Sequence, residues 1–141
     1  MEPSRRRFLV LFAGLPGVAG CSRLRSKSSS EVDGELLGRH LISALSDFSS
    51  AQIIGRRYFG SLKQKPNRGR VAVVLADRLS RNAESVMKLD RVALQDRIHS
   101  QCQEDYLTGQ TVELRGWLLP RTEVELCLLA MLFDDPGNPR N

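Results

Sequence analysis

Three cysteines, two histidines and one tryptophan are the side chains of this 141-residue chain best suited to special chemistry, and their spacing limits what they can do. Cys102 and Cys127 fall on apolar faces of consecutive predicted helices. In an oxidising compartment such a pair bridges if its Cα atoms come within about 7 Å. Closing that loop is worth roughly 3 to 4 kcal/mol in the chain-entropy picture; two separate buried thiols are the other arrangement open to them. The absence of a C-x-x-C pair argues against a redox couple. His99-x-x-Cys102 has metal-ligand spacing and His40 offers a third donor, but closed zinc sites take about four ligands, and a helix that turns Cys102 inward turns His99 away. No metal is assigned.

Catalytic patterns are equally sparse. The chain has no Gly-rich phosphate loop, G-x-S-x-G elbow or H-E-x-x-H. Glu104/Asp105, Glu123/Glu125 and Asp134/Asp135 are carboxylate pairs, yet adjacent or alternate helical residues point in different directions. Neither a catalytic residue nor a cofactor is therefore assigned. Two basic-aromatic clusters remain. In Arg56-Arg57-Tyr58-Phe59 the expected arrangement puts an aromatic ring in the core and both arginines outside. Trp117, with Arg115 and Arg121 beside it, either packs on the core or forms a partner contact on an exposed turn, because interface anchors are enriched in Trp and Arg.

The elements that would position these groups are mostly helical. Leu36, Leu37, Leu41, Ile42, Leu45 and Phe48 recur at helical spacing, predicting one amphipathic helix from Glu35 to Phe48. A second follows from Ser50 as its N-cap, although Gly55 and Gly60 weaken it. Arg70 to Leu79 reads as a helix, with a buried strand as the alternative. Asp90 caps a helix that Gly109 stops, and Leu94, Ile98, Cys102 and Tyr106, four apart, predict a buried stripe along it. Val112 to Leu119 breaks the helical rhythm around Arg115-Gly116, predicting a small hairpin. Pro120 at a first helical position, or Thr122 as cap, opens the final helix. The expected fold is mainly α: a small helical bundle over residues 35–132 with a short β-hairpin before its last helix, and a disordered tail over 133–141.

The first twenty residues are of another kind. Arg5, Arg6 and Arg7 precede an apolar run from Phe8 to Gly20. A thirteen-residue helix reaches only about 20 Å, too short for a ~30 Å hydrocarbon core. Cationic start, short apolar segment and small residues before Cys21 form the pattern of an export signal. Ser4-Arg5-Arg6-Arg7-Phe8-Leu9 resembles the twin-arginine (Tat) signal, and Val18-Ala19-Gly20-Cys21 resembles the lipobox of bacterial lipoproteins. These resemblances cover residues 4–21 only. They imply a signal peptide, 1–20, read by the Tat translocon and removed by lipoprotein signal peptidase. They also imply a diacylated Cys21 (a palmitate-type modification) and a periplasmic protein held on a membrane. Ser22 is not the Asp associated with inner-membrane retention, so the inner leaflet of the outer membrane is the expected berth.

Residues 21–34 read as lipidated Cys and flexible tether, since five serines and the cations Arg23, Arg25 and Lys27 leave only Leu24 and Val32 to bury. Of the net charge of +5, the leader's three arginines against Glu2 supply +2, which undercuts a nucleic-acid role; no such partner is expected. Tat carries folded cargo, so the leader implies an accessory or binding subunit of a larger exported protein. The layout is similar to the small subunit of membrane-bound gluconate-type dehydrogenases, which makes an oxidoreductase subunit the expected protein partner. A small periplasmic enzyme with an unrecognised site, or a structural envelope lipoprotein, are the alternatives.

Overall fold

The computed structural model describes residues 33–134; the expected signal peptide, Cys21, the expected tether up to residue 32 and residues 135–141 lie outside the described residues. The elements run α1 (Gly34–Ile42), α2 (Phe48–Ser61), α3 (Arg68–Ser80), α4 (Ala83–Met87), α5 (Arg91–Leu107), β1 (Thr111–Leu114), β2 (Trp117–Pro120) and α6 (Arg121–Phe133). The fold is the expected helical bundle with a two-stranded hairpin before its last helix, and Arg70 to Leu79 is helical.

Most helix starts are fixed by one short polar side chain that satisfies an otherwise unpaired N–H. Asp33 accepts from Glu35 N–H, Asn67 from Arg70, Asn82 from Glu84 and Asp90 from Ala93. The predicted helix from Glu35 to Phe48 is instead two. Asp47 accepts from the N–H and the hydroxyl of Ser50, so α2 begins at Phe48 with Asp47 as its cap; those bonds also hold the Asp47 carboxyl below its usual pKa. Apolar spacing carried across the break because Leu45, in the connection after α1, and Phe48, the first residue of α2, continue it.

Helix α6 is the axis of the bundle, in contact with α1, α2, α3, α5 and both strands. Val124, Leu129 and Ala130 on it are wholly buried. Leu37 and Leu41 of α1, Leu75 and Leu79 of α3 and Leu94 of α5 meet it in the main core. Each fully buried Leu is worth about 1.5 to 3 kcal/mol, so this cluster outweighs any single polar contact.

Two glycines set how closely α6 is approached. A Cβ on Gly55 of α2 would overlap the Cys127 carbonyl and press on Met131, and one on Gly38 of α1 would enter the Phe133 ring. Gly55 therefore enables packing rather than weakening its helix. At the far end of α6, the guanidinium groups of Arg39 and Arg68 lie over the Phe133 ring, 5.7 and 5.2 Å from its centroid. Arg68 also pairs with Glu35 at 2.6 Å.

Gly55→Ala should lower stability by about 1 to 3 kcal/mol, the range for overpacking a tight contact. Gly60→Ala, where an added Cβ meets nothing within 4 Å, should raise it by up to about 1 kcal/mol. Urea unfolding of both variants checks the opposite signs.

Candidate functional site

Everything at the hairpin end of the molecule is assembled on the junction between α5 and α6. Pro120 precedes α6 without a side-chain cap of its own. Asp105, near the end of α5 and 1 % exposed, supplies one: the Thr122 N–H donates to its Oδ2 at 2.7 Å. Gln101 Nε2 donates to the other carboxylate oxygen at 3.3 Å. A carboxylate here meets both the unpaired N–H groups and the positive end of the helix dipole.

The expected stripe of Leu94, Ile98, Cys102 and Tyr106 is thus only half right. Leu94 is buried and Ile98 and Cys102 partly so, but Tyr106 is 50 % exposed. Capping turns Asp105 inward, and its neighbour Tyr106 outward. Tyr106 instead donates its hydroxyl to the Leu118 carbonyl at 3.3 Å, tying α5 to β2.

The hairpin pairs Val112 with Leu119 and Leu114 with Trp117 across a two-residue turn. Arg115 and Gly116 take φ of 51° and 84°, the left-handed pair of a type I′ turn that suits the twist of a hairpin. Trp117 is 74 % exposed beside that turn, Leu118 57 % exposed and Leu107 84 % exposed. Arg115 and Arg121 are exposed as well. The sequence left Trp117 between core and surface, and the structure places it on the surface. The exposed apolar side chains of α5 were not anticipated; the signal was present in Gly109, which ends α5 so soon after Leu107.

Arg121 also reaches Glu125 at 3.4 Å, and Glu125 pairs with Arg78 of α3 at 3.1 Å. Burial pushes the Glu125 carboxyl above its ordinary pKa, while the two arginines pull it back. Cys102 and Cys127 are both free thiols. They share the neighbourhood of Glu123: its backbone N–H reaches Cys102, its carboxylate disfavours both thiolates, and ionisation of Cys102 disfavours that of Cys127. Burial dominates in each case, raising Cys102 to about 11 and Cys127 to about 12.

The remaining candidates are dispersed. His40 Nε2 lies 3.1 Å from the Val86 carbonyl and joins α1 to α4, whereas His99 is exposed and bonds Gln103. Among the described residues, no three or more His, Cys, Asp or Glu side chains are grouped to hold a metal ion. Arg56 and Arg57 are exposed, Tyr58 and Phe59 half-buried, and Lys65 lies 5.9 Å from the Phe59 ring centroid. Two open grooves of about 480 and 530 Å³ flank the α2–α3 connection and share Lys65 and Pro66; neither is lined by a histidine or cysteine. In comparisons with family models, curated proteins and solved structures, nothing matches this chain.

Asp105→Ala should cost about 1 to 3 kcal/mol, because the buried Thr122 N–H loses its acceptor. Asp105→Asn, which keeps an acceptor oxygen, should cost less in the same urea titration. The raised thiol values predict that at pH 8 iodoacetamide alkylates Cys102 about 100-fold more slowly in the folded than in the unfolded chain. Because folding holds these thiol protons more tightly than the unfolded chain does, stability should fall as pH rises above the ordinary thiol value of 9.0.

Proposed function

We propose that this chain is a lipoprotein of the bacterial periplasm, anchored by acylated Cys21, that acts as a non-catalytic accessory subunit of a larger exported partner. The observation that carries the docking half of this reading is the 74 % exposure of Trp117 on a tight, stiff hairpin, with Arg115 and Arg121 exposed near it. A rigid aromatic loses little conformational freedom on binding, and Trp and Arg dominate interface hot spots. The leader supports the other half. Two arginines followed by Phe8-Leu9 suit the Tat route, and Cys21 after small residues suits lipoprotein processing. Two or more acyl chains make attachment durable where one does not. Among the described residues no helix is long and apolar enough to cross a membrane, so the lipid on Cys21 would be the means of attachment. An oxidoreductase subunit is the partner this reading expects, and the outer membrane's inner leaflet the berth.

Two substitutions test the halves separately. Cys21→Ser should abolish incorporation of labelled palmitate and leave a larger, unprocessed chain; unchanged labelling and size would contradict the anchor. Trp117→Ala should leave stability nearly unchanged, since the ring is mostly in solvent, yet weaken recovery of the co-purifying partner by about 2 kcal/mol or more, roughly thirtyfold in affinity. Equal recovery with wild type and variant would contradict the docking surface.

A further inference from the structure

The hairpin has two unlike edges. A two-residue turn makes Leu114 and Trp117 a hydrogen-bonded pair, and the Arg121 N–H, donating to the Gln110 carbonyl at 2.9 Å, continues the alternation at the other end. Val112 and Leu119 are then hydrogen-bonded too, while the backbone groups of Thr111, Glu113, Leu118 and Pro120 point away from the partner strand. On β2 this outer edge is closed: Pro120 has no N–H, and the Leu118 carbonyl accepts from Tyr106. On β1 it is open. The outward groups of Thr111 and Glu113 bond to no described residue, and Glu113 is exposed.

We propose that a second copy of this chain pairs with the open edge of β1, antiparallel and about a two-fold axis through Val112, to make a four-stranded sheet. Chemistry selects the register. Pairing through outward groups requires Thr111 or Glu113 of one copy to face Thr111 or Glu113 of the other. Glu113 opposite itself would set like charges together, which destabilises a sheet. Thr111 opposite itself would leave Glu113 facing Gly109, whose φ of 71° is not extended. Thr111 opposite Glu113, repeated by symmetry, satisfies both residues' outward N–H and C=O groups and brings a hydroxyl donor beside each carboxylate. The strand is therefore self-complementary, as an isologous interface requires. Val112, Leu114, Trp117 and Leu119 project from one face of the hairpin. On that face Val112, Leu114 and Leu119 are half-buried and Trp117 is exposed; edge pairing leaves Trp117 uncovered, so dimerisation and partner docking use different surfaces.

On the axis Val112 stands opposite its own copy in a non-hydrogen-bonded pair, with Cα atoms about 4.5 Å apart, within disulfide reach. Full-length chains carrying Val112→Cys, Glu113→Cys or Leu118→Cys are expressed and the cells treated with diamide. Diamide takes the two thiol hydrogens and is reduced to its hydrazine as the S–S bond forms. It enters every compartment, so the outcome does not depend on export or lipidation. On non-reducing gels Val112→Cys should form mostly covalent dimer. Glu113→Cys, facing Thr111, and Leu118→Cys, on the closed edge, should stay near the wild-type background. Adding Glu113→Pro to Val112→Cys removes the outward N–H and the carboxylate that the pairing uses but leaves the hairpin ladder intact; it should return crosslinking to background with unchanged circular dichroism. Val112→Cys crosslinking no better than Glu113→Cys and Leu118→Cys would overturn the dimer, as would crosslinking that survives the proline in a folded protein.

Discussion

A single buried carboxylate sets the geometry of the hairpin end. The central helix α6 starts directly after Pro120 with no cap of its own, and Asp105, reaching from α5, accepts from Thr122 in its place at 2.7 Å. Long-range capping of this kind does two things at once. It satisfies the start of the helix on which the core is built, and it fixes where α5 ends relative to α6. The hairpin that joins them then has little choice of position. Its turn conformation, the Arg121–Gln110 bond and the Tyr106–Leu118 bond hold it in a small, ordered projection. Exposed Trp117, Leu118 and Leu107 are a consequence of that placement, since the core beneath is already filled by α6.

The two ends of α6 divide the work. Toward its C-terminal end, glycines and a ring in contact with two guanidinium groups bring α1, α2 and α3 close, and shape complementarity dominates. At its N-terminal end, polar and ionic contacts dominate: Asp105 with Thr122, and Glu125 with Arg78 and Arg121. Breaking a partly buried ion pair on one side leaves an uncompensated charge, which makes this end specific in its geometry. The Cys102 thiol beside this end and the Cys127 thiol at the middle of the helix both have their pKa raised by burial. Their surroundings suit packing more than nucleophilic chemistry.

Local signals in the sequence were legible where one residue decides the backbone. Asp90 before an amphipathic run and Arg115-Gly116 between alternating residues each act within a few positions, whereas Arg70 to Leu79, a helix in the fold, left a buried strand open as its alternative. Three features were not legible: one is masked by a pattern that continues across it, and two depend on residues far apart in sequence. The break between α1 and α2 hides behind apolar spacing that happens to continue through Leu45 and Phe48. The value of Gly55 lies in the Cys127 carbonyl across the helix pair. Asp105 looked like one half of a solvated acidic pair with Glu104, and only the position of Thr122 turns it into the buried cap. The short helix α4 gave no periodic signal, being five residues long. For the candidate site, the sequence located Arg115, Trp117 and Arg121 but left open whether the tryptophan faces the core or solvent.

The proposed docking role and the proposed dimer both require a hairpin held rigidly to α6, and hence an α6 whose first turn is as secure as its middle. Native-state hydrogen exchange of the Thr122 amide measures this directly. With Asp105 as its acceptor, Thr122 should exchange only through global unfolding, at the same opening free energy as Leu129 in the buried centre of the helix. Exchange of Thr122 through a local opening several kcal/mol cheaper than that of Leu129 would show a frayed helix start and contradict the account.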